Sequence, residues 1–333
     1  MPPLPELVQA LLAPKAYPDT PQQIELVQTQ MSFVFLTDNY VYKVKKPVNL
    51  GFLDYTTLEK RYFFCQKEVE LNRRLCPDVY LGVVPITRDK GDFLIEGRGG
   101  ALEYAVKMRR LPQAAMMDVL LAANQVSSTM ITSLAQKLAE FHRTANTNDA
   151  ISTFGDLPTI TQNTEENFTQ TEKYIGTIIS QDAYQRIRAY TDSFIKQNTP
   201  LFHKRIESGR IRDCHGDLHA AHICFTNGVC IYDCIEFNDR FRYCDVASEV
   251  AFLAMDLDHH GRADLSRLFV NSYVVQSGDK ELVELLNFYK GYRAYVRGKV
   301  ASFKYDDPYI SDEEKTKVLA IAKRYFELAE SYV

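Results

Sequence analysis

Apolar and polar positions change their spacing several times along this chain. Segments 24–29, Ser32–Leu36 and Tyr40–Lys45 are rich in β-branched and aromatic residues, and Thr37-Asp38-Asn39 supplies a turn. This pattern predicts three consecutive antiparallel strands. The spacing then becomes helical at Leu58, Tyr62, Cys65 and Val69. Thr56 and Glu59 stand at capping-box spacing before it, and Cys76-Pro77 ends it. Strand-like runs follow at 82–87, 92–96 and 102–108. A short helix over 5–12 precedes them all.

Beyond Pro112 the helical period dominates. Ile131, Leu134, Leu138 and Phe141 form one stripe, with Ser127 or Ser128 available as a cap. Segments 166–198 and 263–287 carry weaker helical patterns, and a last helix starts near Ser311. One β-hairpin interrupts this half: 222–225, the turn Thr226-Asn227-Gly228, then 229–233. Asn-Gly between two apolar runs favours such a turn. The expected fold class is α+β, with a sheet-rich N-terminal lobe over 1–110 and a helical lobe over 111–333 that contains the hairpin. The boundary falls at 109–112.

Composition narrows the function classes. The net charge of −4 gives no overall basic field, so no nucleic-acid partner is expected. No apolar run approaches the roughly 18–20 residues that span a bilayer, so no membrane partner is expected either. The N-terminal residues have no cationic start and are broken by prolines, unlike a secretory signal. A cytoplasmic protein with seven reduced thiols is the expectation. Five of the seven cysteines fall between Cys214 and Cys244, among His215, His219 and His222. The spacing argues against structural zinc. There is no C-x₂-C pair, and Cys230 and Cys234 bracket an apolar strand whose side chains alternate faces. Small thiols packed in a hairpin are expected instead. His142 is expected to be a core histidine, and His259-His260 to be solvated.

The chemistry concentrates between His215 and Asp258. Asp217 precedes the hairpin and Asp233 is expected to end its return strand, so that both carboxylates would face one site. Phosphoryl transfer needs such a pair: one carboxylate orients the attacking hydroxyl, and the other holds the metal that neutralises the triphosphate. In the first half, Val41, Lys43 and Lys45 share one face of a strand. Glu68 lies with Phe64, Leu71 and Leu75 on an otherwise apolar helical stripe. A carboxylate there is costly to bury unless paired, and Lys43 on the adjacent sheet would resolve the cost.

With these residues in hand, the chain resembles the aminoglycoside phosphotransferase-like kinases, a branch of the protein-kinase-like fold. HGD, a spaced second Asp, and the segments YKVKKP, DCIEFN and DVASEVAF carry the resemblance, which runs over about residues 25–305. It is strongest to a bacterial subset with the same segments. The resemblance implies a two-lobed kinase that uses ATP and Mg²⁺ to phosphorylate a hydroxyl of a small molecule: an amino sugar, a sugar or an amino alcohol. It implies that Asp217 is the catalytic aspartate, Asp233 the magnesium ligand, and Asp245 a helix cap that steadies the catalytic loop. By kinase pattern Lys43 contacts phosphate, with Lys45 as the fallback, and Glu68 pairs with it. Ser32, in the loop 30–32, is a candidate phosphate contact. The resemblance also implies that Met108 and Leu111 border adenine, Leu111 through its backbone.

One position departs from the family pattern. The metal-binding Asn falls on His222, and imidazole suits softer metals than Mg²⁺. Three options remain open: His222 binds a metal such as Mn²⁺, Glu236 or Asn238 supplies the oxygen, or no ligand stands there. With no glycine in the 30–32 loop, an alternative reading is a nucleotide-binding pseudokinase with a regulatory role. If the substrate is a polycation, Glu236, Asp239, Asp256 and Asp258 are the candidates for an acidic wall. The sequence sets no oligomeric state.

Overall fold

The computed structural model describes residues 4–307 and 310–333. The chain divides into two compact units, one of Met1–Met116 with Ile223–Asp239 and one of Met117–His222 with Arg240–Val333. The hairpin segment belongs to the first unit.

In the first unit the strands are β1 (Glu25–Gln28), β2 (Ser32–Leu36), β3 (Tyr40–Lys45), β4 (Tyr80–Asp89), β5 (Asp92–Ile95) and β6 (Glu103–Arg109). They form one antiparallel sheet in the order β1-β2-β3-β6-β4-β5. Alternation along β3 sorts its side chains onto two faces. Tyr42 and Val44 join Phe33, Phe35, Ile86, Ile95 and Ala105 in a core shared with Val8 and Leu11 around helix α1 (Glu6–Ala10). Lys43 and Lys45 take the opposite face, toward helix α2 (Leu58–Arg73).

The cap of α2 is Thr57, whose side chain accepts from the Lys60 N–H, and not Thr56. Thr56 is instead held by Asp54, through both its backbone N–H and its hydroxyl. The expected hairpin is present but short. Ile223–Cys224 pairs with Cys230–Ile231 through a turn in which Asn227 (φ 48°) and Gly228 (φ 105°) are both left-handed. Asp233 therefore lies past the return strand, at a φ of 62°.

The expectation of seven thiols needs correcting. Cys76, just beyond α2, is disulfide-bonded to Cys230 in the hairpin, with a Cα–Cα distance of 4.9 Å. The two are separated by 154 positions, so only folding brings them together. Cys65, Cys214, Cys224 and Cys234 are buried thiols, and Cys244 is a half-buried one.

The second unit is built mainly of helices. Ser128–Thr144 starts on Ser127 and Asp312–Glu330 on Ser311, each cap side chain accepting a backbone N–H of its first turn. The 166–198 pattern resolves into Leu157–Thr171 and Gln181–Gln197, and 263–287 into Ala263–Ser277 and the start of Leu282–Tyr305. Gly278, with φ 69°, ends the third of these. In sequence, Val246, Val250, Leu253 and Leu257 form one inward stripe of a helix over 245–258. The helix Val246–His259 has no wet face over Val246–Leu257, where every residue is buried, Ser248, Glu249 and Asp256 included. His259 is not solvated either: it stacks on Tyr325 at 3.9 Å, and burial pushes its imidazole down to about 4. Among the described residues, no helix is long and apolar enough to cross a membrane.

Candidate active site

In the first unit, β3, α2 and the hairpin exit meet in a cluster of charges. Glu68 is fully buried and forms ion pairs with both lysines of β3, accepting a hydrogen bond from Lys45. Lys43 Nζ stands 2.9 Å from Glu68 Oε1 and 2.7 Å from Asp233 Oδ1. Lys45 Nζ stands 2.6 Å from Glu68 Oε2 and also pairs with Glu236, to which the Tyr55 hydroxyl donates at 2.7 Å. Burial by itself pulls both ammonium groups down. For Lys43 the charges of Asp233, Glu68 and Glu236 outweigh it, and for Lys45 those of Glu236 and Glu68 do, so both stay protonated well above the usual lysine range. Burial likewise works to raise the Glu236 carboxyl, but Lys45 and Lys43 hold it low. The lysine expected to serve Glu68 is thus joined by a second. Lys45 carries the more buried pair, with 1% of its side chain exposed against 15% for Lys43.

The left-handed backbone at Asp233 is a strained one for a non-glycine residue, at about 1–3 kcal/mol. Fixed partners hold it there. The Asp233 N–H donates to the Tyr80 hydroxyl at 3.1 Å and the Cys234 N–H to Asn72 Oδ1 at 2.8 Å. Asn72 in turn donates to the Glu68 carbonyl from the same helix. Tyr80 and Asn72 were not singled out in the sequence. An Asn one turn after Glu68 on the apolar side of α2 was the available signal.

Three other expected residues lie in this unit. Ser32 opens β2 and is buried, leaving Gln30 as the exposed residue of that turn. Met108 lies in β6, opposite Val41 and Tyr80. Arg109 and Arg110 donate their backbone N–H groups to Val79 and Asn39, and Leu111 is the first residue past those bonds.

In the second unit the loop carrying Asp217 is fastened from behind by Glu249. One carboxylate oxygen accepts the N–H groups of His215 (2.7 Å) and Gly216 (2.6 Å), and the other meets His142 Nε2 at 2.7 Å. The far nitrogen of His142 bonds the Tyr273 hydroxyl at 2.7 Å, which fulfils the expectation of a core histidine. Burial works against the Glu249 charge, but His142, His215 and the Gly216 N–H bring its carboxyl down to about 2. Asp256 accepts the Ala220 N–H further along the loop. Asp245 is the expected cap, accepting from the Ala247 N–H and paired with buried Arg205. Glu249 and Asp256 bond the loop backbone directly, and Arg293 donates to the Gly216 carbonyl.

Asp217 itself is about one-third exposed, and two histidines flank it. His219 Nε2 and His222 Nδ1 are each 3.6 Å from its Oδ2, and His222 Nδ1 is 3.0 Å from the Asp217 carbonyl oxygen. Burial by itself raises this carboxyl, but His219, His222 and Arg297 outweigh it and hold it well below the usual carboxylate range. It is built to stay anionic.

The four acids considered for a polycation wall are each committed within their own unit. Glu236 pairs with Lys45, Asp239 with Lys67 and Asp258 with Lys290 and Tyr332, and Asp256 takes the Ala220 N–H. Three of the four candidates are thus ion-paired and the fourth is bonded to backbone. The Asn238 amide donates to the Phe52 carbonyl.

Solved structures similar to this one include an amicoumacin kinase, with a TM-score of 0.57 and 13% identity over 96% of this chain and 92% of that one. A spectinomycin phosphotransferase matches with a TM-score of 0.52 and 12% identity, covering 100% of both chains. A Plasmodium vivax ethanolamine kinase matches at 0.51 and 10%, over 93% of this chain and 83% of its own. The chain has the protein-kinase-like fold. Within this kinase-like fold the α+β architecture expected from sequence stands. No protein-family model matches the chain. Uncharacterised proteins of Mycobacterium tuberculosis and Mycobacterium bovis are 35% identical over 292 residues, 87% of this chain. The chain spans 57% of the length of these relatives.

Proposed function

We propose that this chain is a phosphotransferase that moves the γ-phosphoryl group of ATP to a hydroxyl of a small molecule. The observation that carries the reading is the contact of Lys43 with both Glu68 and Asp233, at 2.9 and 2.7 Å. A lysine gripped by a helical carboxylate is the phosphate-positioning arrangement of kinases. The similar solved structures support it: they are kinases and phosphotransferases, one in complex with AMP-PNP and Ca²⁺ and one with ADP.

Each residue has a proposed role. Lys43 neutralises phosphate oxygens, and Glu68, itself braced by Lys45, fixes its direction. Asp217, held ionised, orients the acceptor hydroxyl as a hydrogen-bond acceptor. Catalysis then comes mainly from positioning and charge stabilisation. Ser32, Met108 and Leu111 are proposed to border the nucleotide. Asp233 fits a hard divalent cation, since Mg²⁺ is usually held by one or two carboxylates together with waters and substrate phosphates. Its side chain is 39% exposed and its backbone is pinned by Tyr80. Bound Mg²⁺ would supply charge neutralisation at the phosphates. The proposed acceptors are amino sugars, sugars and amino alcohols, and the proposed location is the cytoplasm.

The test is ATP turnover with Mg²⁺ or Mn²⁺ across a panel of those acceptors. Asp217→Asn is expected to lower kcat by about 10²–10⁴-fold, the range of a positioned general acid–base group. Transfer that survives this substitution at full rate overturns the assignment. Nucleotide binding without turnover across the panel points to the regulatory reading.

A further inference from the structure

Two groups of side chains among the described residues bring three metal-binding atoms within 4.8 Å of one another: His142, Cys214 and Glu249, and Asp217, His219 and His222. They differ in what their atoms already do. In the first group, Glu249 accepts two backbone N–H groups and one imidazole, and His142 uses both ring nitrogens. That group is a closed hydrogen-bond network with a structural task. In the second group the ligand atoms converge at longer range. Asp217 Oδ2 is 3.6 Å from each imidazole nitrogen, and the two rings lie 4.0 Å apart.

The two 3.6 Å separations are close to the edges of a coordination polyhedron. Two ligand atoms held at about 2.0–2.1 Å from a tetrahedral zinc ion stand about 3.3 Å apart. Shifts of a few tenths of an ångström shorten the two carboxylate–imidazole edges to that length, and the two imidazole nitrogens already lie within 4.8 Å of each other. The rings are well covered, with 8% and 16% of the His219 and His222 side chains exposed, while Asp217 is 32% exposed and leaves an approach from solvent. Two imidazoles and one carboxylate select a borderline-soft cation over Mg²⁺, and they leave a fourth position open.

We propose that Asp217 Oδ2, His219 Nε2 and His222 Nδ1 form a binding site for one transition-metal cation of the Zn²⁺ class. His222 now sits 3.0 Å from the Asp217 carbonyl oxygen through the same nitrogen. Binding exchanges that contact for the metal and puts the ring proton on Nε2. Arg297 also acts on the Asp217 carboxylate, and its positive charge opposes any cation there. The consequence for catalysis rests on the reading of Asp217 given above. A bound ion occupies the carboxylate that orients the acceptor, so Zn²⁺ inhibits phosphoryl transfer while Mg²⁺ supports it.

The test is a Zn²⁺ titration of the full chain against a chromophoric chelator, with no nucleotide present. The expected result is one ion per chain, with His219→Ala and His222→Ala each weakening binding by at least about 100-fold, beyond what loss of an outer-sphere partner costs. Zinc-edge X-ray absorption of the unmodified protein provides a readout that needs no variant. A shell of nitrogen and oxygen supports the site, and a sulfur neighbour places the ion on a cysteine and overturns it. No zinc retained, or affinity unchanged in both variants, also overturns it. Transfer assayed with Mg²⁺ and no zinc tests the kinase reading separately. Loss of that activity with the titration intact removes the inhibition but leaves the site.

Discussion

Lys43 and Lys45 share a strand face, and the sequence alone leaves open which of them meets phosphate. The structure divides their circumstances. Lys45 is held by Glu68, Glu236 and Tyr55 with almost no exposure, whereas Lys43 is held by Glu68 and Asp233 and keeps some access. Breaking a buried pair by removing one partner costs about 3–5 kcal/mol. Lys45→Met is therefore expected to lower the unfolding free energy by about that amount in urea titrations, leaving Glu236 and part of Glu68 uncompensated. Lys43→Met is expected to cost less stability but to lower kcat/KM for ATP by about 10²–10³-fold, as loss of one charge-stabilising donor does. The reverse ranking would make Lys45 the phosphate contact.

At the scale of elements, α2 and the hairpin are coupled by more than packing. Glu68 on α2 meets Lys43 and Lys45, and Asn72 on α2 accepts the Cys234 N–H. Cys76 just past its end is bonded to Cys230. The disulfide closes a loop of more than a hundred residues, for which chain-entropy arguments give a large effect. Cys230→Ser is expected to lower the unfolding free energy by about 2–5 kcal/mol. Wild-type protein in reducing buffer should reproduce the loss, as read by thermal or urea melts. An identical melt with and without reductant would show that the bond contributes nothing to stability. Element boundaries were largely legible, because strand runs and caps are local signals: β2 and β3 fall where the sequence put them, and Ser127 and Ser311 cap their helices. The hairpin was misjudged in length because Asp233 adopts a left-handed backbone that no local preference of Asp demands. Tertiary partners impose it.

For the whole molecule, acid sensitivity should trace to the buried network behind the HGD loop. The Glu249 carboxyl lies at about 2, below its ordinary 4.5. A depressed carboxylate stabilises the folded state fully above its unfolded pKa and loses that contribution as pH falls through the folded one. Stability is thus expected to fall between pH 4.5 and about 2. Glu249→Gln should flatten this part of the profile and lower stability at pH 7, as read from urea midpoints across pH. An unchanged profile would mean that other carboxylates govern acid unfolding. The surroundings of Val246–His259 were illegible because its sequence shows one apolar stripe, while the helices packed around it cover every side. Glu249 and Asp256 could be buried there only because backbone N–H groups, His142 and Tyr325 receive them.

The sequence by itself determined the succession of strands and helices, the α+β class, and the carboxylates and lysines worth watching. Those follow from side-chain periodicity, turn chemistry and the cost of an unpaired charge, all of which act within a few residues of chain. Tertiary structure decided the partners: two lysines on Glu68, a disulfide across 154 positions, ion pairs for Asp239 and Asp258, and two imidazoles beside Asp217. Charge pairing and sulfur bonding depend on distances of a few ångströms in space, and spacing along the chain carries no record of them.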